Sequence, residues 1–505
     1  MQSNEGGTRS VWQATVEPRR YAPLTEDTDA DVCVVGAGLA GLTTALELAR
    51  GGMRVVVLEK ESNIGAGETA HTSAHLANAM DDRFDHLERH LSLDAARQAR
   101  ESHGAAIDWI ERVARDEGID CDFRRVDGFL VPGEGEDPNR MEDEHQAALR
   151  AGFSDAELLA SSPIEGLGGP CIRFPEQGEY HPLRFLNGAA DAVVRAGSRI
   201  FTDAHVVDAQ GGADGRATTA DGPTVRARRI VLATNSPAGR YLETIKMLPY
   251  RTFVVALEVV PGVVPRALYW DTTDPYHYVR LASDRAGREL LLVGGGDYQS
   301  GTKDRGEQVF LELVEWARER FDTRGATVYR WSGQVLEPAD HLAFIGRSHA
   351  DDDVYLCTGD SGQGMTHSVI AAMRIGDLIL DRPERWPVYD PRRLSGGAIR
   401  EYLRDAALMG RKMLDHVKPG DVDSVDDIPV GGGAVLRRGL KEIAAYRDEA
   451  GELHERSAIC THAGCVVHWN STEKSWDCPC HGSRFDPGGA VLNGPAVSSL
   501  RPAED

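Results

Sequence analysis

The spacing of apolar positions changes along the chain in an order that predicts separate elements. Val32 to Val35 (VCVV) is a short continuous apolar run, as a strand buried on both faces requires. GAGLAG follows, then LTTALELAR with helical spacing, and RVVVLE reads as the next strand. RIVLATNS (Arg229 to Ser236) predicts a later strand, and VYLCTGDSGQGMTHSVIAAMRIGDLIL a strand, a glycine-rich turn and a helix. In AIREYLRDAALMGRKMLDHV (Ala398 to Val417), Ile399, Leu403, Ala406, Met413 and Leu414 suit an amphipathic helix that covers the preceding domain. KPGDVDSVDD reads as an exposed acidic stretch, with a linker expected at 421–427. Beyond it, AVLRRGLKEIAAYRDEAGELHERSAI alternates apolar residues around a DEAG turn, and FDPGGAVLNGPA adds a hairpin. A small all-β domain over 428–505 is expected, after a larger domain over 1–420.

At 505 residues the chain is too long for one hydrophobic core, which agrees with this division. A formal charge of −23 repels phosphates and anionic lipid, so nucleic acid is not an expected partner. No apolar run approaches the length of a membrane span, and no apolar segment follows the basic residues near the N-terminus. Cys33, Cys121, Cys171 and Cys357 are scattered, as in a reducing compartment. A cytoplasmic location is expected.

The strand, GxGxxG turn and helix make a nucleotide-binding unit. Gly36 permits the tight turn, Gly38 admits a pyrophosphate close to the backbone, and Gly41 allows the helix to pack on the strand. Glu59 ends the second strand, where an acid accepts hydrogen bonds from ribose hydroxyls. The fingerprint alone leaves FAD and NAD open. FAD is favoured by the fingerprint's place near the N-terminus, by RIVLATNS as a returning strand, and by Gly362 and Gly364. These two glycines would set a helix N-terminus against the flavin pyrimidine edge.

The remaining cysteines cluster in CTHAGC (Cys460 to Cys465) and CPCHGS (Cys478 to Ser483). A structural zinc site is one reading, but zinc needs four ligands and the two boxes offer six candidates. The boxes resemble the loops of the Rieske [2Fe–2S] family. The resemblance implies that Cys460 and Cys478 bind one iron, His462 and His481 the other, and that Cys465 and Cys480 form a disulfide. It further implies that Ser483 donates to a bridging sulfide. Phe485 stands where high-potential members have Tyr, so a low or middle potential is expected. The histidine-bound iron of that family faces outward, which makes His462 and His481 the expected electron exit.

Asp29 to Leu380 resembles, discontinuously, the glycine/D-amino-acid oxidase (DAO) family, and with the tail the FAD-dependent oxidoreductases that carry a C-terminal Rieske domain. The resemblance implies an α/β flavoprotein: a Rossmann-like FAD domain, from parts near 27–80, 185–245 and 325–385, interleaved with an α+β substrate domain. GAGETAHTSAH then makes Thr69, His71, Thr72 and Ser73 cofactor contacts. His71 is expected to make a noncovalent polar contact; the alternative is covalent attachment, since relatives similar to dimethylglycine dehydrogenase attach the flavin to a histidine in a T-x-H at this place. In DPYHYVR, period two puts Tyr276, Tyr278 and Arg280 on one face, and Arg280 is a candidate anchor for a substrate carboxylate, with a surface salt bridge as an equal alternative. His367 is a candidate for facing the flavin or capping its helix. Where the family often has a carboxylate-binding arginine, this chain has about Val335, so an amine is as open a substrate as an amino acid.

The expected activity is oxidation of a small C–N substrate, with electrons passed singly from FAD to the cluster and on to an external acceptor protein. The alternatives are an NAD(P)H- or ferredoxin-fed reductase supplying a partner oxygenase or reductase, and a non-catalytic redox sensor. LLVGGGDY and IPVGGGAV have glycines without a following helix, which disfavours a second nucleotide site.

Overall fold

The computed structural model describes residues 8–137, 139–237, 246–393 and 419–503; the amphipathic helix expected over 398–417 lies outside them. Val32–Val35 is buried throughout and pairs in parallel with Val55–Leu58 on one side and Arg229–Leu232 on the other. Continuous burial is what a parallel strand with both faces covered requires. Arg199–Phe201 and Val354–Thr358 extend this sheet in parallel, and Phe344–Arg347 ends it antiparallel. Helices Leu39–Arg50 and Gly364–Ile379 pack closely: a Cβ on Gly376 would lie 2.8 Å from Glu47 Cγ.

The second sheet has nine strands and is largely antiparallel. Its longest strands, Met247–Val259 and Thr323–Pro338, pair along their full length. Next to them run Glu289–Gln299 and His277–Ser283. The glycine run in the former is explained here. A Cβ on Gly294 would lie 2.0 Å from the Tyr278 ring, and one on Gly295 2.2 Å from the Tyr276 carbonyl oxygen. Gly294 makes room for the Tyr278 ring and Gly295 for the backbone at Tyr276.

The C-terminal residues build two small antiparallel sheets, one from Gly433–Arg438, Lys441–Arg447 and Leu453–Ser457, the other from His468–Asn470, Ser475–Asp477, Arg484–Phe485 and Val491–Asn493. Their core includes Val467, Trp476 and Phe485. The stretch expected as a linker is held on this domain. Asp421 exchanges hydrogen bonds with Val435, and Arg447 donates to the carbonyls of Val425 and Ile428.

The β domain is docked firmly on the larger part. Glu473, 1% exposed, lies 3.9 Å from Arg251, itself 2% exposed, and accepts hydrogen bonds from Thr8 and Ser332. Among the described residues, no helix is long and apolar enough to cross a membrane.

Candidate functional site

A cavity of about 370 Å³ is lined by residues of both large sheets and of the β domain. Its nucleotide end follows from the glycine turn. Gly36 has φ +103°, and a Cβ there would sit 2.4 Å from Ala233 O. A Cβ on Gly41 would sit 1.9 Å from Gly36 O, so this residue stands off the cavity wall and serves the packing of helix on turn. Gly38 caps the helix and lines the cavity. Glu59 also lines it; its carboxylate accepts from Ala37 N at 2.7 Å and Glu61 N at 3.0 Å, while burial raises its pKa.

Thr69, His71, Thr72 and Ser73 all lie on the wall. Thr69 Oγ1 accepts from Leu39 N at the helix start (3.1 Å), and Ser73 Oγ bonds His75 Nδ1 (3.0 Å). His71 Nδ1 lies 3.1 Å from Gly67 O, while its Nε2 is buried without a hydrogen-bond partner among the described residues. Gly362 and Gly364 line the cavity at the N-terminus of helix Gly364–Ile379, and Gly362 has φ +74°. A side-chain-free cradle at one end and an unpartnered buried imidazole nitrogen further along fit a bound FAD.

Three candidate catalytic residues separate here. Tyr278 lines the cavity, its hydroxyl 2.8 Å from Thr252 Oγ1. His367 also lines it. Its Nδ1 is 2.9 Å from Asp360 O, its Nε2 is buried without a partner among the described residues, and burial lowers its pKa to about 4, so the ring is neutral. Arg280 corrects the expectation. It is absent from the cavity wall; its guanidinium donates to the carbonyls of Ala74 and Tyr180, lies 3.8 Å from Glu179 and stacks 5.4 Å from the Trp12 ring. The period-two argument concerns only the Cβ, whereas a long side chain ends several bonds away, here at carbonyls behind the wall.

Sequence reasoning missed Asp81, Asp297, Trp270 and Gln334, all on the wall. Only GGGDY carried a signal, since the acid follows glycines that seat the tyrosines.

At the β domain, the two cysteine boxes form matching loops. In each, the first cysteine N–H bonds the carbonyl five residues on (Cys460 to Cys465, 2.8 Å; Cys478 to Ser483, 2.8 Å). In each, a glycine N–H four residues on bonds back (Gly464, 3.0 Å; Gly482, 3.2 Å). Both glycines have positive φ, +81° and +78°. A Cys465–Cys480 disulfide ties the loops, leaving Cys460 and Cys478 as buried thiols. The rings of His462 and His481 lie 4.9 Å apart. Two thiols and two imidazoles presented by bridged loops fit a [2Fe–2S] cluster with mixed ligation.

The outward-facing histidine pair expected above is half corrected. His462 is partly exposed, but His481 is buried, and its loop packs on the larger part. Gln299 donates to Pro479 O at 3.1 Å, and Gln334 Nε2 to Gly482 O at 2.9 Å. A Cβ on Gly482 would lie 2.1 Å from that nitrogen.

Comparison with known proteins agrees with both sites. The family model for FAD-dependent oxidoreductases of the DAO type matches residues 31–378, and that for the Rieske [2Fe-2S] domain matches 418–504. The Rieske 2Fe-2S iron-sulfur protein YhfW of Bacillus subtilis (strain 168) is 30% identical over 499 residues, 97% of each chain. Gamma-glutamylputrescine oxidoreductase of Escherichia coli (strain K12) is 29% identical over 402 residues, covering 76% of this chain and 91% of that one. Glycine oxidase from Geobacillus kaustophilus shares the fold, with TM-score 0.60 at 17% identity over 73% of this chain and 100% of its own.

Proposed function

Since the chain belongs to the FAD-dependent oxidoreductase (DAO) family and carries a C-terminal Rieske [2Fe-2S] domain, we propose that it oxidises a small amine or amino acid at a C–N bond and passes the electrons through its own cluster to an external acceptor. FAD held at the glycine turn and Glu59 would supply the acceptor for the hydride lost from the substrate carbon as C=N forms and the nitrogen loses a proton, and a cluster held by Cys460, Cys478, His462 and His481 would supply a one-electron outlet. Water then hydrolyses the imine to a carbonyl compound and ammonia, or an amine where the nitrogen is substituted.

The chain's own residues position and enclose this chemistry. Gly36, Gly38 and Glu59 hold the nucleotide; Gly362 and Gly364 present amide donors beside the ring; Tyr278 and Thr252 orient what lies opposite. Residues of the β domain, including Asn493 and Gly494, complete the wall and exclude water.

The observation that carries the routing is Gln334. It lines the cavity, and the same side chain donates to Gly482 O, next to the cluster ligand His481. Electrons therefore enter on the His481 side and leave on the His462 side, which is the more exposed. Anaerobic mixing with substrate in stoichiometric amount tests this: flavin bleaching is followed by the reduced-cluster EPR signal in the same molecule. A cluster that stays oxidised while the flavin remains bleached refutes it, and cluster reduction by NADH or NADPH alone supports the reductase alternative.

A further inference from the structure

The part of the cavity wall built by the nine-stranded sheet and the loop beside it has an unusual charge pattern. Asp81 Oδ2 accepts from the Tyr276 hydroxyl at 3.0 Å and presses on the glycine turn, where a Cβ on Gly362 would lie 2.2 Å away. Asp297 Oδ1 is buried and has no hydrogen-bond partner among the described residues. The rings of Tyr276 and Tyr278 are 5.5 Å apart, and Trp270 shares the wall. The neighbouring acids Asp82 and Glu337 share one histidine, His341, whose Nδ1 lies 3.1 Å from Asp82 and 2.8 Å from Glu337, so one imidazolium faces two carboxylates and this end of the wall keeps an excess of acid.

Cations on the cavity wall are committed elsewhere. Lys60 donates to Leu492 O and lies 3.4 Å from Glu61; Arg484 pairs with Asp477 at 3.3 Å. Arg280 points behind the wall, and Val335 stands on it. Among the described residues, a substrate carboxylate finds no guanidinium at this end. An ammonium finds two carboxyls and three aromatic side chains, a combination that attracts cations where water is excluded.

Resting on the reading above and narrowing its substrate, we propose that this wall is a receptor for a cationic amine, which sits between Asp81 and Asp297 against the rings of Trp270, Tyr276 and Tyr278, and not for an amino acid held by its carboxylate. Electrostatics agree with this geometry. Burial, with Asp82 behind it, holds Asp81 well above the usual carboxylate range, and burial pushes Asp297 up to about 7. Carboxyls in that condition gain from an incoming positive charge.

The test uses the holoenzyme without oxygen. Tetramethylammonium chloride and sodium benzoate, neither oxidisable, are titrated at constant ionic strength and followed by the flavin's visible spectrum. The cation is expected to perturb the spectrum saturably and benzoate at least about tenfold more weakly; equal or tighter benzoate binding overturns the proposal. Asp297→Asn is expected to weaken cation binding by about tenfold or more with flavin content unchanged, and unaltered affinity counts against it. In parallel, butylamine, N-methylbutylamine and 1,4-diaminobutane are expected to bleach the flavin, and glycine, alanine and proline to do so more slowly. Bleaching by the amino acids alone overturns the amine class while leaving C–N oxidation standing. Should no C–N compound bleach the flavin, the oxidising function fails, and the cation titration still decides the character of the wall.

Discussion

Gly482→Ala is the most direct perturbation of the junction between flavin cavity and cluster loop. The residue has φ +78°, so a side chain adds strain of about 1–2 kcal/mol. That strain falls on the loop whether or not the loop is docked. The added Cβ would also lie 2.1 Å from Gln334 Nε2 and 2.9 Å from Pro249 Cβ, and this conflict exists only when docked. Gln334 must swing aside, forfeiting its bond to Gly482 O (2.9 Å) and its bond from Asn493 Nδ2 (3.1 Å). At about 1 kcal/mol each, docking weakens by about 2 kcal/mol, or about 30-fold. In anaerobic stopped flow, flavin bleaching should slow less than cluster reduction, because Gly482 itself is not on the cavity wall although the displaced Gln334 is. Cluster reduction, read by freeze-quench EPR, should slow by up to that factor. Gln334→Leu keeps the bulk and removes the donor, so it reports on the bond without altering the loop. Cluster reduction within about twofold of the parent rate in both variants, with iron fully loaded, would remove the Gln334 contact from the electron route.

Glu473→Ala strands Arg251 in the buried domain junction and should destabilise the protein by about 3–5 kcal/mol, seen as a lower urea midpoint; a shift under 1 kcal/mol would show the pair to be unimportant. Ser483→Ala removes a hydroxyl beside the buried Cys460 thiol; since donation to sulfur favours a reduced cluster, a redox titration should move to more negative potential. Cation affinity should rise with pH up to about 7 and then level off. Asp297 must be ionised to hold the charge, so affinity falls by about tenfold per pH unit below that point. The titratable groups acting on Asp297 are Glu337 and Asp274, with Asp81 facing it across the site and Thr252 donating to it. A flat profile between pH 5 and 8 in the tetramethylammonium titration would place the cation elsewhere.

What the sequence determined by itself was local. The fingerprint at Gly36, Gly38 and Gly41 and the boxes at Cys460 to Cys465 and Cys478 to Ser483 are contiguous motifs. Their chemistry depends on backbone conformation and ligand type within a few residues, and both are written in residue order. The strands around them were legible for the same reason: continuous apolar runs such as Val32–Val35 have one stable setting, a sheet covered on both faces. Tertiary structure decided everything that depends on where a side chain ends. Arg280 shares a strand face with Tyr278, yet its guanidinium turns to the carbonyls of Ala74 and Tyr180, because a buried cation must find partners and these lie closest. Asp81, Asp297 and Gln334 come from separate stretches of chain and meet at one cavity only when the sheets pack. His481 lies in a loop whose sequence implied exposure, and it is buried because the β domain docks that edge on Pro249 and Gln334. Docking is set by complementary surfaces far apart in sequence, so a motif can specify its ligands without specifying which of them is buried against the larger part.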